Sequence, residues 1–94
     1  MIIRRIIWLD NVVEKIHKKH GITTTEVEEL FQNGPKIRRG PKGNFIRESL
    51  YYALGRTNSN RLLFTVFIHK RNSDALIITA RQMDSKEKSI YLKL

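Results

Sequence analysis

Ninety-four residues are one domain's worth of chain, and 40% hydrophobic and 29% charged residues with five Gly and two Pro exclude collagen, a disordered tail or a low-complexity linker. Without cysteine there is no disulfide framework, no thiolate zinc site and no cysteine nucleophile. Eighteen Lys plus Arg against nine Asp plus Glu leave a net charge of +9 on a small surface, which calls for a polyanionic partner: nucleic acid, an acidic protein or an anionic membrane. The membrane ranks last, because no apolar run approaches roughly 18 residues and no segment reads as a basic amphipathic helix. The first residues interrupt their apolar stretch with Arg4 and Arg5, unlike a signal peptide, so a cytoplasmic protein is expected.

In chain order, Ile2 to Leu9 is rich in Ile and suits a short strand. Asp10 reads as the N-cap of a first helix, with Val12, Val13 and Ile16 as its apolar stripe. Lys18, Lys19 and His20 suit the helix C-terminus, and Gly21 is a left-handed stop. A second helix starts after Thr23, Thr24 or Thr25, carries glutamates in its first turn, buries Val27, Leu30 and Phe31, and ends at Asn33-Gly34-Pro35. From Lys36 to Arg47 there are five basic residues and no acid before Glu48, with a loop expected over Arg39 to Asn44. Strands are expected over Leu50–Arg56, Arg61–His69 and Asp74–Arg81, joined by turns of about four residues, which makes their pairing antiparallel. Asp84 and Glu87 form a capping-box variant for a last helix, whose sticky face is Met83, Ile90 and Leu94. The expected fold is a single α+β domain over residues 1–94: two N-terminal helices, an antiparallel meander of three to four strands, and one C-terminal helix.

Three motifs in this order carry a resemblance. They are Lys19-His20-Gly21 closing the first helix; Gly55-Arg56-Thr57 leading to Arg61-Leu62-Leu63-Phe64-Thr65-Val66; and Ile77-Ile78-Thr79-Ala80-Arg81, then Met83, Lys86-Glu87-Lys88 and Tyr91. Together, over roughly Trp8 to Tyr91, they resemble the BrnT family, small ribonuclease toxins of type II toxin–antitoxin pairs with a RelE-like fold. The resemblance implies an endoribonuclease that works without cofactor or metal. It also implies a cognate DNA-binding antitoxin that neutralises the toxin in a hetero-oligomer, the pair repressing its own operon. The chain departs from the family pattern in three places. Leu9 separates Trp8 from Asp10, Ile16 stands where the family often has Asn, and Arg47-Glu48-Ser49-Leu50-Tyr51 replaces a Glu-Arg-Tyr.

Metal-independent RNA cleavage needs a base for the 2′-hydroxyl, an acid for the leaving 5′-oxygen and cations around the phosphorane. His20 is the one group of its motif that exchanges a proton near neutral pH. Lys19 and Arg81 are candidates to hold phosphate, Arg81 by a two-pronged contact. Glu87 and Tyr91, four residues apart, share a helix face, and Arg81 closes the strand before that helix. Arg61, Lys36, Arg38, Arg39, Lys42 and Arg47 are the candidate RNA contacts. Blander readings stand beside these: His20 as a helix cap, Arg81–Glu87 as an ion pair pinning the last helix, Tyr91 as a core-edge residue, and the Lys36–Arg47 stretch as a docking surface for an acidic antitoxin. A non-catalytic RNA- or protein-binding module on the same scaffold is the alternative. Tyr51 and Tyr52 alternate on their strand, so one is core and the other is free to stack on a base.

Overall fold

The computed structural model describes residues 1–40 and 49–93. Its elements run β1 (Arg5–Ile7), α1 (Asp10–His20), α2 (Thr24–Gln32), β2 (Lys36–Arg39), β3 (Ser49–Arg56), β4 (Leu62–His69), β5 (Asp74–Gln82) and α3 (Ser85–Lys93). The α+β class is as expected. The sheet is larger than the expected meander, with five strands in the order β1-β5-β4-β3-β2.

Two additions make the difference. β1 pairs in parallel with β5, so the sheet is mixed rather than antiparallel. Residues 36–39, at the start of the basic stretch, form an edge strand paired with β3, so Arg39 belongs to a strand and not to the loop. Lys42 and Arg47 lie outside the described residues. Strand β2 has one half-buried apolar residue, Ile37, among exposed cations. Its hydrophobic pattern is therefore too short to announce a strand, and pairing with Tyr51–Leu54 makes it one. Lys and Arg are what an edge strand carries when it must not recruit further strands.

The helices start and stop for local reasons. Thr23 caps α2 in a full capping box with Glu26. Asp84 and Glu87 do the same for α3, through Asp84 N–H to Glu87 Oε1 at 2.9 Å and Glu87 N–H to Asp84 Oδ1 at 2.8 Å. The N-cap of α1 is Leu9 rather than Asp10, and no side chain caps it. Asp10 sits one residue inside, where its charge still favours the positive end of the helix. Gly21 ends α1 at φ 64°, a conformation that only glycine adopts at little cost.

Register sorts the strand residues onto two faces. Ala53, Thr65 and Ala80 line up, as do Tyr51, Phe67 and Ile77. This face is covered by Val12 and Ile16 of α1, Ile22, and Val27 and Leu30 of α2, all but fully buried. Each large core side chain contributes roughly 1.5–3 kcal/mol. Gly55 lets α2 approach closely here, because a Cβ would come within 3.1 Å of Leu30 and 3.3 Å of Pro35 and those side chains would have to give way. Ile78 is the extra residue of a bulge in β5, and its carbonyl accepts a hydrogen bond from Lys15 Nζ of α1 at 3.1 Å. On the edge strand, Arg5 donates to both oxygens of Asp74, whose carboxyl is held below its ordinary range by those hydrogen bonds.

Candidate functional site

The second face of the sheet carries different residues. Arg38, Tyr52, Val66 and Thr79 form one row across it, and Lys36, Leu54, Phe64 and Arg81 the next. Helix α3 stands on this side, and between it and the rows lies a cavity of about 460 Å³. Tyr52, Leu54, Phe64, Val66 and Ile90 wall it; Arg38, Arg81, Lys86, Asp84 and Glu87 surround it. Tyr51 packs instead on Phe67 in the core, so the two tyrosines divide between the faces.

Arg81 is fixed by a fork. Its Nη1 and Nη2 each donate to one oxygen of Glu87, both at 2.7 Å, and Nη1 also reaches the carbonyl of Gln82 at 3.1 Å. The hydrogen bonds to Glu87 raise the Arg81 pKa against the desolvation that lowers it, so the group stays charged. Its guanidinium lies 4.5 Å from the centre of the Phe64 ring. Glu87 is therefore saturated by Arg81 and by the Asp84 amide, an arrangement that orients an arginine.

Tyr91 is not part of that fork. Its hydroxyl accepts from Arg56 Nε at 3.2 Å, and Arg56 also lies over its ring at 5.6 Å. Sequence reasoning passed over Arg56 as a site residue. The available signal was parity, since Tyr52, Leu54 and Arg56 alternate onto the face that carries Phe64 and Arg81.

His20 and Lys19 end α1, which packs on the opposite face. His20 is half-buried, Lys19 is exposed, and neither side chain has a hydrogen-bond or ion-pair partner among the described residues. The five candidate catalytic residues thus fall into three groups: Lys19 with His20, Arg81 with Glu87, and Tyr91 with Arg56.

Arg61 joins none of these. Its Nη1 contacts both oxygens of Glu26, at 3.1 and 3.0 Å, and donates to the Gly21 carbonyl at 2.9 Å. It ties the end of α1 to the start of α2 and to β4. Burial would raise the Glu26 pKa, but the hydrogen bonds from Arg61 and the Thr23 amide prevail and hold it below its ordinary 4.5. Lys36, Arg38 and Arg39 are exposed on β2 and have no acidic partner among the described residues. Among the described residues no group of three or more His, Asp or Glu is placed to hold a metal ion, and no helix is long and apolar enough to cross a membrane.

In fold, the chain is similar to the crystal structure of the Brucella abortus ribonuclease toxin BrnT, with a TM-score of 0.63 over 86% of this chain and 97% of that one, at 18% identity. No curated protein sequence matches the chain. The family model described as the ribonuclease toxin BrnT of type II toxin–antitoxin systems matches residues 8–87, from Trp8 through Glu87 and so across both layers of the fold. The chain belongs to the BrnT family of ribonuclease toxins of type II toxin–antitoxin systems.

Proposed function

We propose that the RNA is cleaved on the sheet face opposite α1 and α2, with Arg81 holding the scissile phosphate and Glu87 fixing its guanidinium. The observation that carries this reading is the Arg81–Glu87 fork beside a cavity that Arg38 and Lys86 also border. The adjacent 2′-hydroxyl gives its proton to solvent water as it attacks phosphorus, building a phosphorane whose extra negative charge a preoriented arginine stabilises. The 5′-oxygen then leaves with a proton. Tyr91, held by Arg56 through its oxygen, keeps its hydroxyl proton to give. This route uses the substrate's own nucleophile and needs no metal. Cleavage is expected to persist in excess chelator and to leave cyclic phosphate or 3′-phosphate ends. Loss of activity in chelator with recovery on added magnesium would overturn it.

The placement of His20 makes the sharper test. His20→Ala should leave cleavage within about threefold, whereas Arg81→Ala should abolish most of it and Arg81→Lys restore only part, since an ammonium makes no two-pronged contact. The reverse ranking would move the site to the end of α1. For the family's antitoxin we propose a DNA-binding protein that forms a hetero-oligomer with this chain in the cytoplasm. The support for a docking partner is that Lys36, Arg38 and Arg39 are exposed with no acidic partner among the described residues, and the DNA binding is what the family implies. Expression of this chain alone should arrest growth, and co-expression of an acidic protein encoded by an adjacent small open reading frame should relieve it; absence of arrest, or its persistence, would count against this pairing.

A further inference from the structure

The cavity between α3 and the sheet has a composition of its own. At about 460 Å³ it lies within the roughly 300–1,000 Å³ range of small-molecule sites. Its walls are apolar and partly aromatic, and its polar residues stand around them: Arg38, Arg81, Lys86, Asp84 and Glu87. The two rings behave differently. Phe64 carries the Arg81 guanidinium 4.5 Å from its ring centre. Tyr52 meets Phe64 at 5.0 Å and 48°, which is no parallel stack, and no cation lies over it among the described residues. Arg38 is directly across the strand pair from Tyr52 on the same face. Neither Arg38 nor Lys86 has an acidic partner among the described residues, and both are exposed.

An apolar slot with one open aromatic wall and free cations beside it suits a flat aromatic group that carries an anion on a short tether. A nucleobase with its flanking phosphates has that form. We propose that this cavity is a base pocket, in which one unstacked nucleobase of single-stranded RNA lies against Tyr52 while Arg38 and Lys86 hold the neighbouring phosphates. The proposal rests on the reading of this face as the RNA face and deepens it. A base paired to a complementary strand has no free body to insert, so the pocket selects single strands.

The test uses the full chain and a fluorescent single-stranded 2′-O-methyl oligonucleotide, which has no 2′-hydroxyl to attack. It is compared with the same strand bearing abasic positions and with the same strand annealed to its complement. Both changes should weaken binding about tenfold or more, in line with stacking on aromatic side chains. Tyr52→Leu, which keeps an apolar wall and removes the ring, should lose as much with an unchanged salt dependence, and Tyr52→Phe should restore affinity. Arg38→Ala and Lys86→Ala should each lower the slope of log affinity against log salt by about one. If abasic and paired strands bind as well as the parent and Tyr52→Leu is silent, while the cation variants still weaken binding, the base pocket is refuted and the RNA face stands. If Arg38→Ala and Lys86→Ala are silent as well, the RNA face itself falls and the pocket with it. Thermal melts of each variant confirm that a folded chain was measured.

Discussion

Two arginine–glutamate pairs in this molecule use the same local device for different ends. In each, the glutamate is the third residue of a helix and completes a capping box: Glu26 with Thr23, Glu87 with Asp84. In each, the arginine comes from the strand region at the same end of the sheet, Arg61 before β4 and Arg81 near the end of β5. Side-chain exposures are similar, 28% and 21% for the first pair against 36% and 16% for the second. What differs is the anchoring. Glu26 belongs to a helix that buries Val27 and Leu30, and Arg61 also closes the end of α1 through the Gly21 carbonyl. Glu87 belongs to a helix with no buried residue, beside an open cavity. A salt bridge between well-anchored elements locks them; the same bridge beside a cavity presents an oriented cation to whatever enters.

The comparison can be broken at its anchor first. Leu30→Ala removes a fully buried side chain under α2 and should cost about 2–5 kcal/mol of stability by equilibrium denaturation. A cost below about 1 kcal/mol would mean that α2 is no firmer than α3. Next comes the open pair. Arg81→Ala should lose about 2.7–4 kcal/mol of transition-state stabilisation, read as a 10²–10³-fold fall in single-turnover cleavage, with a smaller effect on the melt. A falling melting temperature with unchanged cleavage per folded molecule would make this pair structural like the other.

Arg61→Ala is the converse. It leaves Glu26 and the Gly21 carbonyl without their partner and should cost about 1–3 kcal/mol of stability. At this chain length that is a fall of roughly 4–8 °C per kcal/mol. Cleavage by the folded fraction should stay within about threefold, and the salt slope of RNA binding should not change. A slope lowered by about one would reassign Arg61 to RNA contact.

The smallest effect is in pH. Because the Glu26 pKa is depressed on folding, its contribution is fully present above its ordinary 4.5 and is lost as pH falls through the lower folded value. The stability advantage of the native chain over Glu26→Gln should therefore be constant from neutral pH to about 5 and shrink below 4.5. An advantage that persisted undiminished into strong acid would show that the Glu26 charge contributes nothing.

The Asp84–Glu87 capping box, the Gly21 stop and the three long strands were legible in the sequence, because each is written in residues a few positions apart, whereas the start of α2 was legible only to within Thr23–Thr25. Gly21 is where a left-handed residue is required, and Asp84 stands three residues before Glu87. The cap of α1 was misread for a related reason: Asp10 has the right chemistry, but the chain enters its helical dihedrals one residue earlier, after Leu9. Arg61, Arg81 and Glu87 were legible as candidate chemistry, and the family through the motifs that hold them. The Arg81–Glu87 ion pair was among the readings open in the sequence, whereas the contacts of Arg61 with Glu26 and of Arg56 with Tyr91 were not legible.

By itself, then, the sequence determined the α+β class, the element order apart from the edge strand at residues 36–39, the excess of positive charge and the family. These follow from local propensity, periodicity and composition, which need no partner in space. Only the tertiary structure decided that residues 5–7 lie parallel beside β5, that residues 36–39 are an edge strand, and that Arg61 meets Glu26 while Tyr91 meets Arg56. It also placed His20 and Arg81 on different layers. Each of these is a pairing between segments whose own pattern is too short or too charged to announce it. The free energy that selects them comes from strand ladders and side-chain contacts across the fold, which exist only once the core under Phe67, Leu30 and Ile16 has closed.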